Sequence, residues 1–245
     1  MPEVRYAFCE HYFTYLTTIK SCNNNGANKH IQRLKKITNY AFKMSYIESN
    51  PLLAYSLKFK PFHQLKLSWE EIDLLQNLKL SNEQLNKVRD IFIFQCFTGL
   101  AYADVKKLSS EHLVKGIDNR YWIKMERTKT KRLFSVPMLM PAQKILNKYY
   151  RLDDREEGLI FQVLTNQKMN AYLKVISEVA GLKKNLTCHV ARHTFATTVT
   201  LLEGVPIETV SKLLGHSKIS TTQIYSVVTE MKISKDTKEL MERLN

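Results

Sequence analysis

Helix start and stop signals recur along this chain and constrain its fold more than any other feature. Ser-Trp-Glu-Glu at 68–71 is a capping box that predicts one helix start, and Ser-Asn-Glu-Gln at 81–84 predicts another. The pattern changes at 121–127 and 132–138, which are typical of two strands on either side of the turn at 128–131. We therefore expect a mainly α (α+β) fold with a small antiparallel sheet.

A segment of low periodicity divides the chain into a short and a long region. Residues 51–67 contain Pro51, Pro61 and several lysines, a composition typical of a linker. We expect a small N-terminal helical domain over 1–62 and a larger domain over 66–245. Helices are expected over about 3–20, 27–48, 103–108, 141–152, 167–180, 188–203, 206–214 and 234–245, with a short one from 220 that holds Tyr225.

The charge balance points to a polyanionic partner. The chain of 245 residues carries 37 Lys and Arg against 23 Asp and Glu, a formal net charge of +14. A cationic surface attracts phosphate backbones, although a solvated basic surface without a partner is the ordinary alternative. Charge alone does not decide between the two.

The cysteines and the hydropathy pattern describe a soluble protein. Cys9, Cys22, Cys96 and Cys188 include no C-x-x-C pair, so neither a zinc ribbon nor a redox motif is predicted. Scattered free thiols fit a reducing cytosol. No apolar run approaches the roughly 18 residues of a membrane helix, and the N-terminus carries charges that a signal peptide lacks. We therefore expect a cytoplasmic protein that does not contact a membrane.

Cationic and imidazole side chains precede one tyrosine in the C-terminal part. His189 and Arg192 share a face at a predicted helix start, where free N–H groups favour a bound anion. His216 follows a predicted helix end, and Tyr225 comes after it. A phenol, with a pKa of about 10, attacks poorly at neutral pH unless cations stabilise charge on its target. Each residue alone is more often a solvated or core residue, but their joint order favours attack on a phosphodiester.

Two neighbouring features leave alternatives open. Lys129 lies in the predicted hairpin turn, where it either donates a proton to a leaving oxygen or only increases solubility. Cys188, His189 and His193 suggest a metal site, but no Glu follows as in H-E-x-x-H and no clear third ligand stands nearby. We therefore expect neither a metal nor another cofactor.

These residues together resemble the tyrosine recombinases, also called phage-type integrases. The resemblance rests on Lys129, His189-x-x-Arg192, Leu214-Gly215-His216 and Tyr225. It is supported by the segments Phe97-Thr98-Gly99-Leu100, Thr128-Lys129-Thr130, His193-Thr194-Phe195-Ala196-Thr197 and Leu213-Leu214-Gly215-His216-Ser217. It covers about 66–230 as a catalytic domain and, more weakly, 1–60 as part of a helical SAM-like core-binding domain. The wording of the motifs is most similar to integrases of Bacteroides-type mobile elements.

The resemblance implies recombination chemistry on double-stranded DNA without metal or ATP. Tyr225 would attack a scissile phosphate to form a 3′-phosphotyrosyl bond, while Arg192 and His216 stabilise the transition state. His189 would position the phosphate or assist proton transfer, and Lys129 would protonate the leaving 5′ oxygen. Members of this family usually act as homo-tetramers on two DNA sites, which is the assembly implied here.

Candidate contacts with the DNA backbone lie outside this cluster. Lys29, Arg33 and Lys36 give the second predicted helix a basic face, and Lys131 lies in the predicted hairpin turn. Such contacts bind phosphates rather than bases, so we expect affinity to fall steeply with salt.

One position departs from the family pattern. An arginine usually follows Thr-Gly-Leu, and here that position is Ala101, which cannot donate to a phosphate. Asp104 does occupy the acidic position that follows. Arg89, on the preceding predicted helix, is our first candidate for a substitute guanidinium. The alternatives are that the remaining donors suffice, or that the protein is slow or inactive.

Two other functions remain open on the sequence. A type IB topoisomerase shares the chemistry but relaxes supercoils as a monomer. A regulator derived from a recombinase and silenced at Ala101 would bind DNA without forming a phosphotyrosyl bond. The small helical N-terminal region and the Leu-Gly-His-Ser wording favour a recombinase. Integration, excision, inversion and resolution are equally compatible with these residues.

Overall fold

The structure, a computed structural model, describes residues 4–60, 64–150, 158–225, 237–238 and 241–244. The expected helix end at 151–152 lies outside the described residues, as does half of the expected helix over 234–245, whose described parts are helical. Contacts between Cα atoms divide the chain into two units, Met1–His63 and Gln64–Asn245.

The first unit is built on two helices, α1 (Tyr6–Thr18) and α2 (Asn24–Lys43). Its buried core contains Cys9, Ile31, Leu52 and Tyr55. α2 begins earlier than predicted, because the side chain of Asn23 accepts a hydrogen bond from the Gly26 backbone N–H at 2.8 Å and caps the helix. The asparagine-rich run at 21–26 is therefore partly the first turn of α2 and not only a break.

The second unit is mainly helical. Its helices are α3 (Trp69–Asn77), α4 (Glu83–Thr98), α5 (Tyr102–Val105), α6 (Met140–Tyr149), α7 (Asn166–Val179), α8 (Cys188–Thr194), α9 (Ile207–Leu213) and α10 (Ser220–Gln223). Its strands β1 (Leu113–Lys115), β2 (Tyr121–Glu126) and β3 (Leu133–Pro137) form an antiparallel sheet in that order. The expected mainly α fold with a small antiparallel sheet is confirmed. Among the described residues, no helix combines the length and the apolar character that a membrane crossing requires.

Capping explains where α3 and α4 begin and end. The predicted capping box is confirmed: Ser68 Oγ accepts from the Glu71 backbone N–H at 3.3 Å, and Glu71 Oε2 accepts from the Ser68 N–H at 2.8 Å. Asn82, rather than Ser81, caps α4. Gly99 ends α4 in the left-handed region with φ of 68°, as its position predicted.

Alternation along β2 directs every second side chain into the core. Ile123 and Met125 are buried, whereas Lys124 between them and Glu126 after them are exposed. Arg127 continues this inward phase just after the strand and is buried too. The predicted hairpin of β2 and β3 is confirmed, whereas β1 was not predicted because three residues carry little alternation.

α4 is the centre of the second unit and packs against α6, α7 and α8. Large buried side chains of this core are Phe92, Phe94, Phe161 and Phe195. Full burial of such a side chain contributes about 1.5–3 kcal/mol. The packing therefore fixes the end of α4 against α8, and this contact positions the site described next.

Candidate active site

Arg192 on α8 lies in a buried cluster and is 3% exposed. Its Nη1 donates to the Gly99 carbonyl at 2.5 Å, and its Nη2 donates to the Leu214 carbonyl at 2.6 Å. These bonds join α8 to the ends of α4 and α9, so the motif segments at 97–100 and 213–217 meet at one guanidinium. Because a buried cation is costly unless hydrogen-bonded, the two carbonyls fix its position.

His216 contacts this guanidinium, and its hydrogen bonds define the ring proton. Nε2 of His216 lies 3.1 Å from Nη2 of Arg192, and it accepts because a guanidinium only donates. Nδ1 lies 2.8 Å from Oγ1 of Thr222 and therefore carries the proton. Burial, with the charges of Arg192 and Arg127, lowers the pKa of His216 to about 4. In this arrangement a neutral His216 orients Arg192.

Tyr225 lies just beyond α10, not within it as predicted. Its side chain is 5% exposed. Its ring lies 6.2 Å from that of His216, nearly parallel at 13°, and 5.2 Å from that of His193. Burial raises the pKa of Tyr225, although Arg192 and Arg127 oppose the rise. The phenol is therefore protonated at neutral pH and lies within the electrostatic reach of both guanidinium groups.

His189 and His193 are one turn apart on α8, and their ring centroids are 4.3 Å apart. Burial, followed by the charges of Arg192 and Lys129, lowers the pKa of His189, so Lys129 acts on the cluster from the turn after β2. Burial, followed by the charges of His189 and Arg192, lowers the pKa of His193 to about 4. The structure thus brings Tyr225 together with neutral imidazoles and fixed cations. The sequence indicated His193 as part of a supporting motif and as a possible metal ligand, and it gave no sign of the contact with Tyr225.

A second guanidinium, which the sequence analysis did not single out, belongs to the same cluster. Arg127 is 8% exposed, and its charge acts on the pKa values of Arg192, His216 and Tyr225. Burial and then the charge of Arg127 lower the pKa of Arg192 to about 10, so Arg192 stays charged at neutral pH. The Arg127 stem lies against Gly215, where an added Cβ would come within 2.9 Å of Arg127 Cγ.

Asp104 anchors Arg127 and the hairpin turn. It is 1% exposed, and its Oδ1 accepts from the Thr128 backbone N–H at 3.0 Å. Its Oδ2 lies 2.8 Å from Nη1 of Arg127, an ion pair that is not aligned as a hydrogen bond. Within the described part of the chain, Nε and Nη1 of Arg127 are buried without a hydrogen-bond partner. A buried unsatisfied donor costs roughly 1–3 kcal/mol, which a ligand oxygen would recover. Ala101, at the start of α5, supplies no side-chain donor.

The structure places Arg89 in a different cluster. Its Nε and Nη2 donate to Oδ1 of Asp90 at 2.9 and 2.8 Å, and its Nη1 donates to the Leu78 carbonyl. All three guanidinium nitrogens of Arg89 are therefore hydrogen-bonded, and they connect α4 to the end of α3. The hypothesis that Arg89 replaces the missing guanidinium is therefore corrected, because the additional arginine whose charge acts on Arg192 and Tyr225 is Arg127.

The predicted single helix over 188–203 changes character after Arg192. Residues Phe195–Thr200 are π-helical, a geometry often found at functional sites. Oγ1 of Thr200 donates to the carbonyls of Phe195 and Ala196 at 2.9 and 2.8 Å. Gly99 packs on Phe195 so closely that an added Cβ would lie 2.4 Å from Cδ1 of that ring. The carbonyl that Arg192 binds therefore reaches α8 only because a glycine carries it.

The candidate DNA-binding residues are exposed. Lys29, Arg33 and Lys36 lie on α2 at a spacing that puts them on one helix face. Lys131 is 72% exposed and lies 3.4 Å from Glu126. Separately, an open cavity of about 670 Å³ beside His216 is lined by three cationic side chains, Lys124, Arg132 and Lys212, among others.

Comparison with known proteins gives matches to both units. The Phage integrase family matches residues 65–231, and the Phage integrase SAM-like domain matches residues 1–60. The tyrosine recombinase XerD of Oceanobacillus iheyensis is 26% identical over 237 residues, which cover 90% of this chain and 77% of that protein. XerD of Lacticaseibacillus casei is 29% identical over 210 residues, covering 80% of this chain and 70% of that protein.

The fold is also similar to that of solved structures. The Tn1549 transposon integrase in complex with transposon right end DNA matches with a TM-score of 0.75 at 16% identity. The match covers 98% of this chain and 87% of that one. At this level of identity the likeness concerns the fold.

Proposed function

This chain belongs to the phage integrase family of tyrosine recombinases, and we propose that it is a site-specific recombinase that cuts and rejoins DNA through a 3′-phosphotyrosyl intermediate. The observation that carries the proposal is the position of Tyr225 in a buried cluster, where its ring lies 5.2 Å from that of His193 and 6.2 Å from that of His216, and where the charge of Arg192 acts on its hydroxyl. A phosphodiester is the electrophile that such a cluster fits, because guanidinium donors match phosphate oxygens in geometry and charge.

The proposed cleavage step is one exchange at phosphorus. The Tyr225 oxygen attacks the scissile phosphate, the new bond joins it to phosphorus, and the bond from phosphorus to the 5′ oxygen breaks. The phenol proton is lost to a base, and the 5′ oxygen gains a proton from Lys129. His189 is suited to the base role or to positioning the phosphate, since its lowered pKa keeps it neutral with a free lone pair.

Arg192 and His216 supply the stabilising arrangement. Arg192 has five N–H donors, and three of them serve Gly99, Leu214 and His216, which leaves donors for the phenol and the phosphate. His216 holds the guanidinium in place through Nε2, and it can donate to the phosphate after a change of tautomer. Fixed donors of this kind lower the barrier because they need no reorganisation as charge develops.

Rejoining reverses the same step. A free 5′ hydroxyl attacks the phosphotyrosyl bond and releases Tyr225. The covalent link conserves the energy of the broken phosphodiester, so rejoining needs no ATP. This economy is the feature that site-specific recombination requires, because every cut end must be sealed.

The two regions divide the work. We propose that 1–62 is a partial core-binding domain, in which Lys29, Arg33 and Lys36 contact the DNA backbone, and that 66–245 is the catalytic domain, with Lys131 as a further backbone contact. Two double-stranded sites, each cut on both strands, call for four copies of Tyr225 in a homo-tetramer. DNA integration of a mobile element, in the cytoplasm, is the proposed setting.

Trapping on a suicide substrate tests the proposal. Duplexes bound by a Tyr225→Phe variant are first selected from a random library, and a nick is then placed beside each candidate cleavage position. The wild-type protein should form an SDS-resistant complex with the nicked DNA, whereas Tyr225→Phe should bind the DNA and form none. The exposed Tyr46→Phe is the matched control and should trap DNA like wild type.

The outcomes separate the rival functions. A Tyr225→Phe protein that still traps DNA would mean that the nucleophile is another residue. A wild-type protein that binds DNA and never traps it would support the regulator that Ala101 suggests. Covalent trapping with relaxation of supercoils but no exchange between two labelled sites would identify a topoisomerase.

A further inference from the structure

The site lacks the arginine that the family pattern places at position 101, but it contains an additional arginine at position 127. Ala101 offers no donor, whereas Arg127 lies inside the cluster although no spacing motif includes it. A phosphate in the transition state carries charge on more than one oxygen, and a single arginine cannot neutralise them all. Arg127 is therefore a buried cation of this cluster to which the proposed mechanism gives no role.

Three contacts hold Arg127 in its position. Its stem lies against Gly215, next to His216 in the chain. Its Cζ lies 5.6 Å over the ring of Phe134. Asp104 fixes Nη1 from the other side at 2.8 Å. Together these three contacts fix the guanidinium of Arg127 next to Gly215, the residue that precedes His216.

The hydrogen bonding of Arg127 points to a ligand. Its Nε and Nη1 are buried without hydrogen-bond partners among the described residues, although Asp104 balances the charge. A guanidinium kept only for the fold would have its donors engaged. Donors left open beside Arg192 and Tyr225 suit an anion with several oxygen acceptors, such as a phosphodiester.

We propose that Arg127 is the second phosphate-binding guanidinium of this site, delivered from the hairpin after β2 in place of the arginine missing at Ala101. The inference rests on the proposed function. Asp104, the acidic residue that follows Ala101, holds the substitute through its carboxylate. The same carboxylate accepts a hydrogen bond from the Thr128 backbone N–H. Asp104 therefore positions both Arg127 and the turn that carries Lys129.

Arg127→Met tests the proposal, because methionine keeps an unbranched stem against Gly215 and removes the charge. Cleavage of the nicked substrate should fall by about 10²- to 10³-fold, the effect of removing a donor to the transition state, while noncovalent DNA binding changes little. Arg120→Ala, which removes an exposed arginine in the turn between β1 and β2, is the control and should cleave like wild type.

A neutral substrate distinguishes a phosphate contact from a structural one. Replacing one non-bridging oxygen of the scissile phosphate by a methyl group removes the charge that Arg127 would neutralise. On this methylphosphonate, the defect of Arg127→Met relative to wild type should shrink by at least about tenfold. Arg127→Lys, which keeps the charge, gives a second reading with an intermediate defect on the ordinary phosphate.

The results separate this inference from the function beneath it. If wild type forms no covalent product, the proposed function fails. If wild type cleaves and Arg127→Met cleaves within about threefold of it, a difference below 1 kcal/mol, Arg127 does not bind the phosphate. A large defect that stays the same on the methylphosphonate overturns the inference as well, because it shows a structural role. Recovery of cleavage when Ala101→Arg is added to Arg127→Met would support the substitution directly.

Discussion

Two buried arginine–aspartate pairs in the second unit have the same chemistry and different surroundings. Arg89 pairs with Asp90 at 2.8 Å, and Arg127 pairs with Asp104 at 2.8 Å. All four side chains are nine-tenths or more buried. Salt-bridge geometry alone does not tell one pair from the other.

The neighbours of each pair make the difference. Asp90 also accepts from Nζ of Lys148 at 2.6 Å and from the hydroxyl of Tyr149 at 2.8 Å, and these bonds fasten α4 to α6. Arg127 instead has two buried nitrogens without a hydrogen-bond partner among the described residues, and its charge acts on Tyr225. A buried ion pair whose donors are all engaged belongs to the framework of a protein. One with donors left open is a candidate for binding.

Removing the first arginine should cost stability and leave the chemistry. Arg89→Ala removes one of the three side-chain partners of the buried Asp90, and the loss of hydrogen bonds to a buried charge costs about 1.5–3 kcal/mol. Denaturant unfolding at neutral pH measures the loss, while cleavage per folded molecule should match wild type. Lys87→Ala, an exposed neighbour on α4, should change stability little. Equal stability but poor cleavage in the Arg89 variant would reverse the roles assigned to the two pairs.

The contact between Gly215 and Arg127 should be sensitive to one methyl group. Gly215→Ala places a Cβ 2.9 Å from Arg127 Cγ in a residue with φ of 62°, a conformation that costs roughly 1–2 kcal/mol for an L-residue. Cleavage should fall further than stability, since the methyl displaces the guanidinium. Gly181→Ala, also left-handed but with open space at its Cβ, controls for the backbone term. If both variants lose stability and cleavage alike, the Gly215 contact does not position Arg127.

Acid should separate the two clusters by pH window. His193 and His216 have folded pKa values of about 4, below the unfolded value of about 6.5, so their contribution to stability is complete above 6.5 and is lost as the pH falls toward 4. Burial alone would raise the pKa of Asp90, but hydrogen bonds from its partners outweigh it and lower the pKa, so its contribution is lost only at lower pH.

Unfolding free energies at pH 7 and pH 5 measure the histidine window. We expect a decrease of at most about 1 kcal/mol for each of the two imidazoles after solvent screening. His193→Gln should reduce this pH dependence, whereas the exposed His11→Gln should leave it as in wild type. A stability that is flat between pH 7 and pH 5 would contradict neutral imidazoles in the folded site.

Local rules predicted the elements, and tertiary contacts decided their ends. The capping box at Ser68 and the left-handed Gly99 are properties of a few adjacent residues, so the sequence contains them. The π-helical segment over 195–200 begins at Phe195, whose ring packs against Gly99, a contact between distant parts of the sequence that no local pattern encodes. The beginning of α2 was misplaced because an asparagine-rich run fits a turn and a helix cap equally well.

The candidate site was predictable in its motifs and not in its substitution. His189, Arg192, His216 and Tyr225 follow a spacing, and the structure brings them together. Arg127 follows none, although one signal was present: it continues the inward phase of β2, where an arginine is unexpected without a buried partner. Arg89 was chosen because it lies on the helix that precedes Ala101. The sequence did not show that its side chain points toward Asp90 and α6 and away from Arg192.

Arg192 joins the ends of α4 and α9 through the carbonyls of Gly99 and Leu214, and this has an evolutionary consequence. A descendant that stopped cutting DNA would still be selected to retain this arginine, because its loss would separate the two helix ends. The hydroxyl of Tyr225 does not connect these helix ends, so its loss would leave both of them in place. Among divergent relatives of this protein, loss of the tyrosine hydroxyl would therefore indicate loss of catalytic activity earlier and more reliably than loss of the arginine.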